Sequence, residues 1–255
     1  MLKKRLVGVI TVKDGWAVQS FGYRRYLPLG KPEVLAQNLD RWGADEILLM
    51  CIDRHGLGPN LRLLKRLGSM GLSTPLIYGG GIATLAQGIA AVQSAADRIC
   101  LDGMLHDSPD TVVELAEHLG AQALIAAMPL STTPDGLRWL DHRTRREKPL
   151  QGPAVDRIAS GLMSEVMVID WQHEGQPSGF DMSLLQRFPL PRVPLIAFGG
   201  LSDKVDVATA LGMQQVVAVG VGNFLNYREH AVQAIKNALP GIALRPPLYS
   251  TGIEA

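Results

Sequence analysis

The chain has little cysteine, no excess of either charge and no long apolar run, and each absence excludes something. Only two cysteines, Cys51 and Cys100, occur in 255 residues, both inside apolar runs. They read as reduced core residues, which excludes a disulfide scaffold and makes the cytoplasm the expected compartment. Basic and acidic residues number 25 and 24, so nothing suggests a general affinity for nucleic acid or for acidic membrane surfaces. No apolar run approaches the length of a membrane span. The run Leu6–Val12 follows Lys3, Lys4 and Arg5, as in a signal peptide, but it is short and Lys13 and Asp14 cut it. It reads as a buried first strand. Compact metal-ligand spacing is also missing, and no cofactor is expected.

What is present is an alternation of short apolar runs and longer amphipathic segments. Eight runs stand out: Arg5–Thr11, Glu46–Ile52, Pro75–Tyr78, Asp97–Leu101, Gln122–Met128, Glu165–Ile169, Pro194–Phe198 and Gln215–Val219. Such runs, rich in Val, Ile and Leu, suit parallel strands covered on both faces. Pro32 and Pro109 suit the first turns of helices. Eight strand–helix units predict an α/β protein, a single closed (β/α)8 TIM barrel, with a doubly wound open sheet as runner-up.

An internal repeat favours the barrel. EILLMCIDRHG and PLIYGGGI in the first half match EVMVIDWQHEG and PLIAFGGLS in the second. Glu46 and Glu165, like Pro75 and Pro194, stand 119 residues apart. A repeat of half the chain length implies two fused half-barrels, about 1–120 and 121–255, within one domain spanning 1–255. Two long connections, Val12–Lys31 and Pro129–Gln151, interrupt the rhythm and are read as functional loops. Both follow C-terminal strand ends, the face on which such barrels build their sites.

Glycines cluster at that face. Gly79-Gly80-Gly81, Gly199-Gly200 and Gly220-Val221-Gly222 end the third, seventh and eighth strands. Backbone N–H groups there can cradle phosphate, and the seventh and eighth strand ends are the usual barrel phosphate site. A phosphate or sugar-phosphate ligand is expected at Gly199, Gly200, Val221 and Gly222. Asp53, Asp102 and Asp170 are candidate acids or bases, set against helix capping as the plainer role. Asp102 sits where the repeat places the first half's phosphate site, and would repel phosphate unless paired. His55 and His173 are read as solvent-exposed loop residues rather than metal ligands. At the opposite mouth Arg5, Glu46, Arg98 and Glu165 each begin a strand, on faces shared with apolar residues. From pattern alone these four form a structural salt-bridge plug.

Motifs in order along the chain then become recognisable. VKDG at Val12–Gly15, GADEILL at Gly43–Leu49, YGGGI at Tyr78–Ile82, the Ile169-Asp170 strand end and SGFD at Ser178–Asp181 resemble the HisF family, the cyclase subunit of imidazole glycerol phosphate synthase. The resemblance implies a HisH-like glutaminase docked on the barrel floor and ammonia crossing the barrel to the far mouth. It also implies that Arg5, Glu46, Arg98 (usually lysine) and Glu165 form the ammonia gate. The family's two catalytic aspartates fall at Thr11 and Pro129, which cannot act as carboxylates. The lysine of the first long loop falls at Gln19, and the aspartate ending strand two at Cys51. In the first phosphate site, beside Gly80 and Gly81, an asparagine and a threonine become Asp102 and Gly103. The second keeps Gly200, while its serine becomes Gly222.

The stretch Gln19–Glu33, QSFGYRRYLPLGKPE, is more similar to HisF-like paralogues of surface-glycan biosynthesis (WbuZ-type). There a glutaminase supplies ammonia to amidate a sugar in lipopolysaccharide, with a separate sugar amidotransferase. The alternatives are a histidine-pathway cyclase using a rearranged set such as Asp53, Asp102 and Asp170, and a scaffold barrel without catalysis.

Overall fold

A computed structural model describes residues 4–226, 230–239, 241–242 and 244–245. Among the described residues twelve strands form: β1 (Arg5–Lys13), β2 (Trp16–Phe21), β3 (Arg25–Gly30), β4 (Glu46–Cys51), β5 (Leu76–Gly79), β6 (Arg98–Leu101), β7 (Leu124–Thr133), β8 (Gly136–Asp141), β9 (Arg146–Pro149), β10 (Glu165–Asp170), β11 (Leu195–Phe198) and β12 (Val216–Val221). Eight of them pair in parallel in the order β1-β4-β5-β6-β7-β10-β11-β12, and β12 returns to β1. The barrel is closed, so no barrel strand is left as an open edge. These eight strands overlap the eight apolar runs of the sequence.

Helices cover the outside of the wall: α1 (Pro32–Trp42), α2 (Leu61–Gly68), α3 (Leu85–Ser94), α4 (Gly103–Asp107), α5 (Pro109–Leu119), α6 (Pro153–Ala159), α7 (Ser183–Gln186), α8 (Lys204–Gly212) and α9 (Ala231–Asn237). Local chemistry starts them. Pro32 and Pro109 occupy first turns, where a missing N–H costs nothing. Asn60, Thr84 and Asp203 accept N–H groups of the first turns of α2, α3 and α8.

The period of two along each strand splits the core into two layers. Leu6, Ile10, Ile47, Leu49, Ile99 and Val166 face the helices. Val7, Val9, Leu48, Ile77, Cys100, Met167 and Phe198 fill the inside of the barrel. Cys51 belongs to the outer layer and Cys100 to the inner, and both are free thiols. Burial pushes each thiol up to about 12, so neither is a ready nucleophile.

The two long connections differ from the expected loops. Each is a β-hairpin continuing a barrel strand beyond the mouth. β1 turns back into β2 and then β3, and β7 into β8 and then β9. The first reversal uses Asp14 and Gly15, both with positive φ (52° and 79°), the geometry of a tight hairpin turn. The second uses Pro134 and Asp135 before Gly136.

Candidate active site at the barrel mouth and its charged floor

At the floor, four side chains form a closed ring. Arg5 contacts Glu46 at 3.4 Å and Glu165 at 2.7 Å. Arg98 contacts Glu46 at 3.2 Å and Glu165 at 2.9 Å. Each cation therefore touches both anions, and the alternation neutralises charge that is costly to bury. Arg98 is further fixed by donating to Ser164 Oγ and to the carbonyl of Gln122. Burial pushes the Glu46 carboxyl above its usual range, against the pull of Arg5 and Arg98. Directly above the ring the bore is apolar, packed with Val7, Leu48, Cys100, Ile125 and Met167. Leu48, Met50 and Cys100 thus face inward as the strand register implies.

The mouth is asymmetric. The first hairpin folds across the β10–β12 side. Gly22 N–H donates to the carbonyl of Glu174 at 2.9 Å, and Ser20 Oγ to its carboxylate at 2.9 Å. Asn223 Nδ2 donates to the Ser20 carbonyl at 2.7 Å, while Ser20 N–H reaches Asn223 Oδ1 at 3.3 Å. Tyr23, at the hairpin's end with φ 52°, drops into the barrel and sets its hydroxyl 3.5 Å from Met50 Sδ. What stays open is a cavity of about 380 Å3 over β4–β7. Gly80, Gly81 and Gly103 line it; Gly199, Gly200, Val221 and Gly222 do not.

Repeat-related glycines nevertheless share one conformation. Gly80 and Gly199 have φ of 132° and 106°, Gly81 and Gly200 of 72° and 81°. A Cβ on Gly80 would lie 2.2 Å from the Cys51 carbonyl oxygen, and one on Gly199 would lie 2.5 Å from that of Asp170. The close approach of neighbouring strand ends therefore requires glycine, whatever ligand the N–H groups hold.

Of the three candidate carboxylates only Asp102 lines the cavity. Asp170 is buried and turned to its own loop, accepting from His173 N–H, His173 Nδ1 and Asp181 N–H. His173 is therefore tied at 2.8 Å to Asp170 and is not the free loop residue its position suggests. Asp53 accepts from Asp14 N–H at 2.6 Å and braces the hairpin turn. His55 is exposed at the cavity rim, as expected. Among the described residues no group of three His, Cys, Asp or Glu could hold a metal ion.

Asp102 has a partner that sequence position did not reveal. His142 Nδ1 lies 2.8 Å from Asp102 Oδ2, brought there from the second hairpin. The hydrogen bond to Asp102 raises the imidazole pKa against the opposing effect of burial. His106 Nε2 stands 3.9 Å from the other Asp102 oxygen, its ring tilted by 34° against Trp139 with centroids 3.9 Å apart. Arg143 joins Asp141 to Asp107 and pins this hairpin to α4. Thr11 and Pro129 stand at the same mouth, on β1 and β7. Neither has a group that can exchange a proton as a carboxylate does. The signal for the missed pairing was the turn sequence Pro134-Asp135-Gly136, which marks a hairpin long enough to carry His142 back.

A closed (β/α)8 barrel with strand-end glycines and a cavity at its C-terminal mouth defines the class, a single α/β barrel of the TIM type. Within that class the chain belongs to the histidine biosynthesis protein family, whose model matches residues 5–231. It is similar to the imidazole glycerol phosphate synthase subunit HisF of Alkaliphilus metalliredigens, 28% identical with 94% of this chain and 96% of the relative covered. It is also 27% identical to a putative imidazole glycerol phosphate synthase subunit hisF2 of Vibrio vulnificus, covering 98% and 93%. The HisF subunit of an Exiguobacterium strain is 26% identical over the whole of both chains.

Proposed function

We propose that this chain is a HisF-like barrel subunit that docks a HisH-like glutaminase on its floor and conducts ammonia to the opposite mouth. There the ammonia serves amidation of a sugar in surface-glycan biosynthesis, with a separate sugar amidotransferase completing the reaction in the cytoplasm. The observation that carries the reading is the Arg5–Glu46–Arg98–Glu165 ring beneath an apolar bore. Neutral ammonia can enter such a bore once the ring opens, whereas ammonium is held back by desolvation. The absence of carboxylates at Thr11 and Pro129 supports an acceptor other than the cyclase substrate, because proton transfers need positioned groups. A phosphorylated or sugar ligand would lie across the mouth, its anionic end at Gly199, Gly200, Val221 and Gly222, away from Asp102.

The second reading is the cyclase of imidazole glycerol phosphate synthesis itself. The names of the similar relatives favour it. One experiment separates the two. The purified chain is given ammonia and the histidine-pathway ribonucleotide, and then co-purified with candidate glutaminases and assayed for glutamine hydrolysis. Little cyclase turnover together with a stimulated glutaminase is the expected result. Turnover near that of ordinary family members establishes the second reading. In the complex, Arg5→Ala should uncouple glutamine hydrolysis from product. If coupling is unchanged while stability drops, the ring is only a plug.

A further inference from the structure

We infer that Asp102 and His142 form a general-base dyad that exchanges a proton with whatever occupies the cavity over β4–β7. The inference rests on the mouth being where ammonia meets its acceptor, and it names the group that would handle protons there. Three observations carry it. His142 Nδ1 is bound to Asp102 Oδ2 at 2.8 Å, and both residues line the cavity. That bond leaves Nε2, on the other side of the ring, without a hydrogen bond among the described residues. A Cβ on Gly103 would sit 4.0 Å from His142 Cε1, so the imidazole lies over the start of α4, where a bound molecule would rest. Third, among the described residues this is the one carboxylate–imidazole pair that lines the cavity: Asp170–His173, held at the same 2.8 Å, lies outside it, Asp53 is spent on the Asp14 N–H, and Thr11 and Pro129 carry no carboxylate.

The arrangement follows the logic of a carboxylate behind an imidazole. Asp102 holds the tautomer with the proton on Nδ1 and stabilises the imidazolium formed when Nε2 takes a proton. When the ligand takes the proton back, the dyad returns to its starting state, and no oxidant or further reactant is involved. His142 is faced by Asp102 from the end of β6 and by Asp141 and Arg143 from its own hairpin, with Asp102 dominant and raising its pKa. His106 stands 3.9 Å from the far Asp102 oxygen, and burial lowers its pKa.

The test uses diethyl pyrocarbonate, a small acylating probe that reacts with unprotonated imidazole nitrogen, on the full chain, with peptide mapping across the histidine titration range. His142 should be labelled. Asp102→Asn should move its midpoint down and slow labelling at high pH, and His142→Gln should abolish the signal from that peptide. A His142 that resists the probe at every pH, or whose profile is the same in Asp102→Asn, overturns the dyad. Should the variant misfold, nitrogen NMR of wild-type protein decides. A proton on Nδ1 with bare Nε2 supports the dyad, and the opposite tautomer overturns it. Labelling needs no glutaminase, so a labelled His142 with failed ammonia coupling sinks the ammonia reading alone.

Discussion

Glu174 shows how much one buried side chain can do here. Its carboxylate lies under the first hairpin and accepts from Ser20 Oγ and Tyr23 N–H. Burial pushes its pKa up, and those hydrogen bonds pull against it. A raised folded pKa contributes stability that is complete below the ordinary glutamate range and is lost as pH rises through the folded value. Glu174→Gln keeps an acceptor oxygen but cannot ionise. Relative to the variant, the wild type should therefore lose stability as pH rises from the ordinary glutamate range, about pH 4, through the raised folded value, read from urea melts. A difference that grows in the other direction would contradict the assignment. Glycine makes the second residue-scale case. Gly80→Ala would set a Cβ 2.2 Å from the Cys51 carbonyl in a backbone conformation with φ 132°. It should cost at least about 2 kcal/mol in denaturant melts, and Gly199→Ala a similar amount.

At the scale of elements the hairpins matter most. Each barrel strand could have ended at the mouth, and β1 and β7 do not. The first hairpin is held over β10–β12 by Asn223 and Glu174, and it delivers Tyr23 to the top of the bore. Both hydrogen bonds between Asn223 and Ser20 are buried, so Asn223→Ala should cost about 1–3 kcal/mol. Its main signature is local: amide exchange in β2 and β3 should speed up more than exchange in the barrel strands. Uniform acceleration everywhere would mean that the hairpin is not a separate unit. The same covering explains why the open cavity lies beside Gly80, Gly81 and Gly103. The expected anion position at Gly199, Gly200, Val221 and Gly222 is checked by a sulfate soak. An anion found only beside Asp102 would contradict it.

For the whole molecule the constant 119-residue shift has a physical reading. Both halves supply four barrel strands, a strand-end glycine pair of matching φ and one hairpin. We propose that they are two half-barrels, each burying its open edges against the other. Fragments 1–120 and 121–255, expressed together, should co-purify and recover the helix and strand content of the intact chain by circular dichroism. Each alone should aggregate, since an unclosed half leaves two strand edges and an apolar face exposed. Independent folding of both would show that the halves are domains. The floor ring is also a property of the whole, because its four members come from β1, β4, β6 and β10 and meet only on closure.

The sequence by itself determined the eight strands, the closed barrel and the inward faces of Arg5, Glu46, Arg98 and Glu165. These follow from local apolar runs, a period of two and a repeat, all written along the chain. Through resemblance it also carried the expectation that Thr11 and Pro129 stand where the family has acids. Asp14-Gly15 and Pro134-Asp135-Gly136 were legible as turns, yet within long connections they did not by themselves say where the hairpins would dock. Only the tertiary structure decided that Asp170 and Asp53 brace loops while Asp102 meets His142, 40 residues away. It also decided which half of the mouth stays open. The reason is physical: a side chain's partner depends on where remote backbone comes to rest, and that is fixed by closure of the barrel and by which hairpin finds buried hydrogen bonds.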